Sequence, residues 1–440
     1  MTGGCRPFTV NATMYKYAIE GGHPLKGKVR PSGNKNAALP CLAATLLTDE
    51  EVVLRNVPDI EDVEVMIGIL KTLGSLVERT DKRTYRLKTN DVRNCAIPLE
   101  MANQIRASIL FAGPLLSRCG RVTLPPPGGD VIGRRRLDTH FLAFKELGAS
   151  VEVDGVFTVR ANKLVGADLF LDETSVTATE NALMAAVLSE GTTTIRNAAS
   201  EPHVQDLCRM LNAMGAVIDG IGSNILKIEG VKRLGGTEFK ISTDFMEVGS
   251  LIGLAAVTHS ELEIEDAAPQ YLRMTRIAFA KLGIHWETDG QTIRIPAGQD
   301  LKVVPDLGGM IPKIDDAPWP GFPPDLISIA LVTATQVEGT ILIYEKMFES
   351  RMFFVDKLIG MGARIILCDP HRAVVSGPCR LQGAELVSPD VRAGMAMVIA
   401  ALCAEGQSTI GNVYQIERGY EDLSQRLKGL GAHIERISKA

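Results

Sequence analysis

The sequence predicts an α/β protein of six repeated β-α-β-α-β-β units in which the first helix of each unit is buried. Three observations lead there: a Leu-Gly or Met-Gly step that recurs six times, a short Thr/Val/Ile-rich segment upstream of each step, and a stretch apolar on nearly every face before that segment. The steps are Leu73-Gly74, Leu147-Gly148, Met214-Gly215, Leu282-Gly283, Met361-Gly362 and Leu430-Gly431, spaced by 74, 67, 68, 79 and 69 residues, too regular for unrelated helix ends. In the first copy Val63, Met66, Ile67, Leu70 and Leu73 recur at helical spacing, and the glycine supplies the left-handed cap that ends a helix. The residues that follow, Leu76-Val77-Glu78 here and Ser150-Val151-Glu152-Val153 in the second copy, read as a strand.

Upstream, the short strand closes on Asn56, Asn197, Asp266 and Asn412 in four copies and on Glu345 in the fifth. In the second copy Arg121-Val122-Thr123-Leu124 runs instead into Pro125-Pro126-Pro127-Gly128-Gly129. Ahead of each strand lies a helical segment without a polar face: 36–47, 106–116, 181–189, 248–257, 325–334 and 393–403. A helix apolar all round is a buried one. A single unit cannot cover it, so several units pack around their helices. At 440 residues one core is too large, and six units divide naturally as three plus three into two domains.

Composition excludes several classes. The net charge is −5 and no basic block offers a nucleic-acid footprint. No apolar run reaches the roughly 18 residues of a membrane span, and Met1–Met14 lacks the charged-then-apolar pattern of a signal peptide, which together predict a cytoplasmic protein. The eight cysteines form no CxxC, and Cys41, Cys208, Cys368 and Cys403 fall in apolar or helical contexts, as reduced thiols do. The seven histidines, His433 in the last strand among them, lack metal-ligand spacing, so no metal is expected. Gly128-Gly129 with Gly133 lacks the Lys-Ser/Thr of a phosphate loop and reads as a mobile lid.

The chemistry shows at the helix starts. Lys35 and Asn36 open the first buried helix, Arg106 the second, Asp325 the fifth and Arg392 the sixth, while Arg135, Arg351 and Arg418 lie near the starts of amphipathic helices. Helix N-termini already carry partial positive charge, so cations there cost stability unless an anion is bound. A polyanionic ligand is implied. The alternative is that each arginine pairs with a nearby acid, Arg418 with Glu417 or Glu421 for example. Asp325, just before Leu326-Ile327, also has the form of a helix N-cap.

Six motifs stand at or near these positions: Ser32-Gly33-Asn34-Lys35-Asn36-Ala37-Ala38-Leu39-Pro40, Ile105-Arg106-Ala107-Ser108-Ile109, Pro323-Pro324-Asp325, Phe348-Glu349-Ser350-Arg351, Asp390-Val391-Arg392-Ala393 and Arg418-Gly419-Tyr420-Glu421. With them the chain resembles, from about Tyr15 to Ile437, the UDP-N-acetylglucosamine 1-carboxyvinyltransferases, enolpyruvyl transferases of the EPSP synthase superfamily. The resemblance implies two inside-out α/β barrel domains, residues 1–34 plus 243–440 and residues 35–242, with ligands in the cleft between them. The implied reaction moves the enolpyruvyl group of phosphoenolpyruvate to the 3′-hydroxyl of UDP-N-acetylglucosamine through a tetrahedral intermediate, the first committed step of peptidoglycan synthesis. It needs no cofactor, and no obligatory protein partner is evident. The resemblance assigns Lys35, Asn36, Arg135, Arg392 and Arg418 to phosphoenolpyruvate. It assigns Arg106, Arg135, Arg136, Leu137, Asp138, Thr139, Ser175, Val176, Asp325, Met347 and Phe348 to the sugar nucleotide. Asp325 is the implied base at the sugar hydroxyl and Asp130 the implied proton donor to C3 of phosphoenolpyruvate, with Lys35 and Arg418 completing the catalytic set.

The chain departs from the family pattern in places. Most members carry Cys where this sequence has Asp130, and that cysteine is what the antibiotic fosfomycin alkylates. A carboxyl group donates a proton but is a poor target for the epoxide, which implies an active, fosfomycin-resistant enzyme; a solvated loop acid is the plain alternative. Arg136 stands where Pro is usual, Glu173 where a basic residue is frequent and Thr177 where Gly is common, and the Gly308–Asp316 stretch is expanded. Two other functions suit the same fold. EPSP synthase acts on shikimate 3-phosphate, but its first motif usually reads Lys-Ser where this chain has Lys35-Asn36. A non-catalytic UDP-sugar-binding paralogue is the other, and the joint presence of Lys35, Asp325, Arg392 and Arg418 argues against it.

Overall fold

A computed structural model of the chain describes residues 15–129, 132, 133 and 135–438. The six step glycines all take positive φ: 110° at Gly74, 93° at Gly148, 102° at Gly215, 73° at Gly283, 102° at Gly362 and 96° at Gly431. Each ends an amphipathic helix, in order Glu61–Leu73, Asp138–Glu146, Pro202–Ala213, Arg273–Ala280, Val355–Gly360 and Leu423–Gly429. In the first of these Val63, Met66, Ile67, Leu70 and Leu73 are all buried.

The apolar segments are the helices Lys35–Ala44, Ala112–Cys119, Val176–Ala186, Phe245–Val257, Ile327–Ala334 and Val391–Cys403. The second and fifth are shorter than expected, each beginning as a 3-10 turn, at Arg106–Phe111 and Pro324–Leu326. In the second, Pro114, which has no N–H to donate, falls in the first turn of the α-helix that starts at Ala112, where none is needed.

Every repeat builds one sheet around the same strand. Val52–Arg55 pairs antiparallel with Thr84–Lys88 and parallel with Thr237–Lys240. Thr192–Arg196, Glu261–Ile264, Gly339–Tyr344 and Gln407–Gly411 likewise have one antiparallel and one parallel neighbour. Arg121–Leu124 keeps the antiparallel partner, Val156–Arg160, and only a bridge at Ala96 on its parallel side.

The sheets fall into two compact units. One holds the described residues to Pro31, Met246–Asp316 and those from Phe322 on; the other holds Ser32–Phe245 and Ala317–Gly321. The chain therefore passes between units at 316/317 and 321/322 and, flanking residues 33 and 243, at 31/32 and 245/246. The reason is local pairing: Gly33 and Thr243 form an antiparallel bridge, Asn34 N–H donates to Ser242 O at 2.8 Å, and Asp244 N–H to Ser32 O at 3.0 Å. The Ala317–Gly321 assignment goes with an edge-on contact of Trp319 and Phe245, ring centroids 5.8 Å apart.

The strand-closing residues have a structural reason too. Asn56, Asn197, Asp266 and Asn412 sit at φ of 58°, 58°, 52° and 56°, a region that Asn and Asp tolerate better than other side chains. The three asparagines each donate Nδ2–H to the carbonyl just past the parallel strand: Asn56 to Ile241 at 2.9 Å, Asn197 to Leu171 at 2.8 Å and Asn412 to Ser388 at 2.8 Å. Asp266 has no such donor, and the Arg30 guanidinium from the parallel strand's end donates to it instead, at 3.0 Å. Asn197→Val, which loses the bond and strains the backbone, is expected to cost about 2–3 kcal/mol in urea unfolding, and Asn197→Gly to recover the backbone part. Equal losses in the two variants would remove positive φ as the cause.

No helix among the described residues is long and apolar enough to cross a membrane, and every described cysteine is a free thiol.

Candidate active site

The first unit gathers Asp325, Arg351 and Arg392. Asp325 lies in the 3-10 turn before Ile327–Ala334 but caps neither element. Both its oxygens are taken by guanidinium groups, Oδ1 by Arg351 Nη2 at 2.8 Å and Oδ2 by Arg392 Nε at 2.9 Å. Burial pushes this carboxyl's pKa up, yet the charges of Arg392 and Arg351 and their hydrogen bonds outweigh it and hold the group well below the usual carboxylate range. Asp390 sets Arg392 in place as N-cap of Val391–Cys403, accepting from the N–H groups of Arg392 at 2.8 Å and Ala393 at 2.9 Å. The guanidinium of Arg392 lies 5.2 Å from the Tyr420 ring centroid, and that of Arg351 lies 5.1 Å from Phe348.

Arg418 is buried at the end of Val413–Glu417 and donates to Gln415 Oε1 at 2.8 Å. Its neighbour Gly419 packs so closely on Val391 that a Cβ would fall 2.3 Å from Val391 Cγ1, which brings Arg418 beside the helix turn carrying Arg392. Glu417, one acid suggested as its partner, is occupied by Arg436 Nε at 2.7 Å and by the Tyr17 hydroxyl at 3.0 Å. Met347 and Phe348 hold the loop before Arg351, each donating its backbone N–H to Glu345 Oε1 at 3.0 Å.

The second unit carries the other assigned residues. Asn34 caps the helix Lys35–Ala44, accepting from Ala37 N–H at 3.1 Å, so Lys35 and Asn36 form its first turn. The local-acid reading holds for Lys35, whose Nζ lies 2.7 Å from Asp62 Oδ2. It fails for Arg106, which makes no ion pair with a described residue; its Nη2 donates to the carbonyls of Arg135 at 2.6 Å and Arg136 at 3.3 Å. Burial, then the charge of Arg135, lowers the Arg106 pKa to about 10, so an anion bound there would relieve both causes. Arg136 pairs with Asp138 at 3.1 Å and Asp172 at 3.3 Å, and Thr139 Oγ1 donates to Asp172 at 2.7 Å. Leu137 precedes the helix Asp138–Glu146, and Ser175 caps Val176–Ala186 through Ala178 N–H at 3.4 Å.

His140 was not anticipated. It is buried, with Nε2 3.1 Å from Thr177 Oγ1 and Nδ1 3.0 Å from Asn181 Nδ2, and burial followed by the charge of Arg106 lowers it to about 3. It is a neutral imidazole at physiological pH, and Thr177, unusual for the family, is its partner. Asp130 lies outside the described residues. Gly128 donates its N–H to Ala102 O at 3.0 Å, and a Cβ would fall 1.8 Å from Asn103 O, so glycine here permits close packing.

Strand pairing also brings Glu20, His23 and His433 within metal-ligating reach, the imidazoles stacked at 3.8 Å and His433 Nδ1 3.4 Å from Glu20 Oε2. Spacing along the chain gave no sign of this cluster, and it shares no residue with the groups above.

The family model for EPSP synthase (3-phosphoshikimate 1-carboxyvinyltransferase) matches residues 19–427. The UDP-N-acetylglucosamine 1-carboxyvinyltransferase of Treponema denticola is 66% identical over 97% of this chain and 100% of its own length, and that of Treponema pallidum 65% identical over 95% and 98%. The enzyme of that name from Bradyrhizobium diazoefficiens is 58% identical over 96% of this chain and 98% of its own. Among solved structures, the enolpyruvyl transferase NikO of Streptomyces tendae superposes with a TM-score of 0.86 at 24% identity, covering 97% of this chain and 100% of that one. EPSP synthase of Acinetobacter baumannii gives 0.73 at 17%, covering 96% and 99%; these two likenesses speak for the fold alone. With its six repeats in two units and its near-complete match to such relatives, the chain belongs to the UDP-N-acetylglucosamine 1-carboxyvinyltransferase family, within the EPSP synthase superfamily.

Proposed function

We propose that this protein transfers the carboxyvinyl group of phosphoenolpyruvate to the 3′-hydroxyl of UDP-N-acetylglucosamine, releasing phosphate, in the cytoplasm and at the start of peptidoglycan synthesis. The observation that carries the reading is the partly buried Asp325 clamped by two buried arginines, one of which sits at a capped helix N-terminus. Phosphoenolpyruvate is a small trianion, and Lys35, Asn36, Arg135, Arg392 and Arg418 are the groups proposed to bind it. Recruiting Arg392 to that anion uncovers Asp325 Oδ2 and removes the largest charge depressing its pKa, so the carboxylate becomes a better base as the donor substrate binds. Asp325 then takes the 3′-hydroxyl proton as the oxygen attacks C2, while Asp130 gives a proton to C3. The tetrahedral adduct collapses when C3 returns a proton and the C2–O bond to phosphate breaks, leaving the enol ether and inorganic phosphate. Lys35 and Arg418 stabilise charge on the departing phosphate. Arg106, Arg135, Arg136, Leu137, Asp138, Thr139, Ser175, Val176, Met347 and Phe348 are the proposed contacts of the sugar nucleotide.

The test is phosphate release from phosphoenolpyruvate by the purified protein with each acceptor in turn. Release is expected with UDP-N-acetylglucosamine and without added metal or nucleoside triphosphate. Release driven by shikimate 3-phosphate would reassign the acceptor, and none with either would leave a binding protein.

A further inference from the structure

We propose that Glu345 holds a proton that it donates to Asp316, and that this buried pair is a positioning device that keeps Arg351 on Asp325. The starting point is the repeat itself. At the position that closes the central strand, three copies carry an asparagine that donates to the carbonyl past the parallel strand, and a fourth joins Asp266 to Arg30. In the fifth copy the register sets Glu345 beside Asp316, two acids where the three asparagine copies have an amide donor and a backbone carbonyl. Both residues are 0% exposed. One oxygen of each is satisfied: Glu345 Oε1 accepts from Met347 and Phe348 N–H at 3.0 Å, and Asp316 Oδ1 from Lys346 N–H at 2.5 Å. The second oxygens, Glu345 Oε2 and Asp316 Oδ2, are buried and receive no donor, and the two residues stand side by side, one step past the paired Tyr344 and Asp315.

Two ionised carboxylates offer acceptors only, so one proton between them both supplies the missing donor and removes a like-charge repulsion. Burial first, then the bond with Asp316, pushes Glu345 up to about 8, in agreement with the geometry. Arg351 Nε is buried without an acceptor and lies 3.7 Å from Glu345 Oε2, while its Nη2 holds Asp325. With the proton in place Oε2 is neutral and Arg351 commits to Asp325; without it a second carboxylate competes for the same guanidinium. The other charges nearby do not replace this one. Lys313 and Lys346 are engaged by Asp315 at 3.0 and 2.9 Å, His371 Nδ1 meets the Glu345 backbone carbonyl at 2.8 Å, and Arg392 is held by Asp325 at 2.9 Å with Asp390 capping its helix.

The link to turnover rests on Asp325 being the base, whereas the Glu345 proton does not. Two near-isosteric variants separate the parts. Glu345→Gln keeps a neutral donor facing Asp316 at every pH; Asp316→Asn donates to Glu345 and leaves it charged beside Arg351. An acid whose folded pKa is raised makes stability fall as pH climbs from about 4.5 to about 8, and level off above. The melting temperature of the wild type is therefore expected to fall over that window relative to Glu345→Gln, which lacks the component. At pH near 7 Asp316→Asn is expected to lose about tenfold in kcat, with Glu345→Gln close to wild type. Parallel melting profiles for wild type and Glu345→Gln would overturn the Glu345 proton. Equal turnover in Glu345→Gln and Asp316→Asn, with the melting difference present, would overturn the link to Arg351. If Asp325→Asn keeps full turnover, the base assignment fails while the melting result still decides the pair.

Discussion

Asp325→Asn is expected to lower kcat by roughly a hundredfold or more while the sugar nucleotide still binds, because an amide of the same shape cannot accept the 3′-hydroxyl proton. The variant also leaves Arg351 and Arg392 without their shared counter-charge, so it should cost about 3 kcal/mol of stability, as removal of one member of a buried ion set does. A circular dichroism melt beside the rate measurement keeps the two losses apart: a folded variant with near-normal turnover would reduce Asp325 to a structural counter-ion. The sign of the pH effect is a second check. A carboxyl held below its ordinary value contributes stability above about pH 4 and loses it as pH falls further, so Asp325 should place no acid limb in kcat/KM above about pH 4. Lys35→Ala should cost a comparable factor by removing a phosphate clamp, and it also takes away the cation that faces the buried Asp62.

The fold was legible because its repeat is written in residues with few conformational substitutes. A glycine at positive φ ends all six amphipathic helices, and an Asn or Asp at positive φ closes four of the strands. Helix boundaries were less legible: hydrophobic periodicity does not distinguish a 3-10 turn from an α-turn, and only the position of Pro114 hints that the second buried helix starts late. Of the candidate site, the cations at helix starts could be read, but not what they face. Asp325 meets Arg351 26 residues away and Arg392 67 away, and such pairings follow from sheet closure rather than local pattern. Arg351 was flagged by its motif yet left out of the assigned set, and it proves to hold one oxygen of the proposed base. His140 gave no signal, since a histidine one residue past Thr139 on an amphipathic helix looks like any half-buried polar residue. Lys35 and Arg392 are neutralised by protein acids in this state, so an anion would have to exchange with those acids, whereas Arg106 meets only carbonyls among the described residues.

Asp130→Cys is expected to turn an enzyme indifferent to fosfomycin into one that the drug inactivates within a single incubation. A thiolate opens the epoxide by attack on carbon, whereas a carboxylate is a weak nucleophile toward it; the loop position is the same, so only the attacking atom changes. The proton-donor role makes a linked prediction. An aspartic acid that donates near neutral pH must hold its proton far above the ordinary value of about 3.9, whereas a thiol does so unaided at about 8.5. Activity that depends on a protonated donor falls as pH climbs through the donor's pKa, so the cysteine variant should carry its alkaline limb to higher pH. Asp130→Asn should lose most turnover and still bind the sugar nucleotide, since the side chain supplies a proton more than affinity. Rates against pH for the three proteins, with and without the drug, decide the matter: an unchanged alkaline limb together with a cysteine variant that the drug leaves untouched would place Asp130 outside the chemistry.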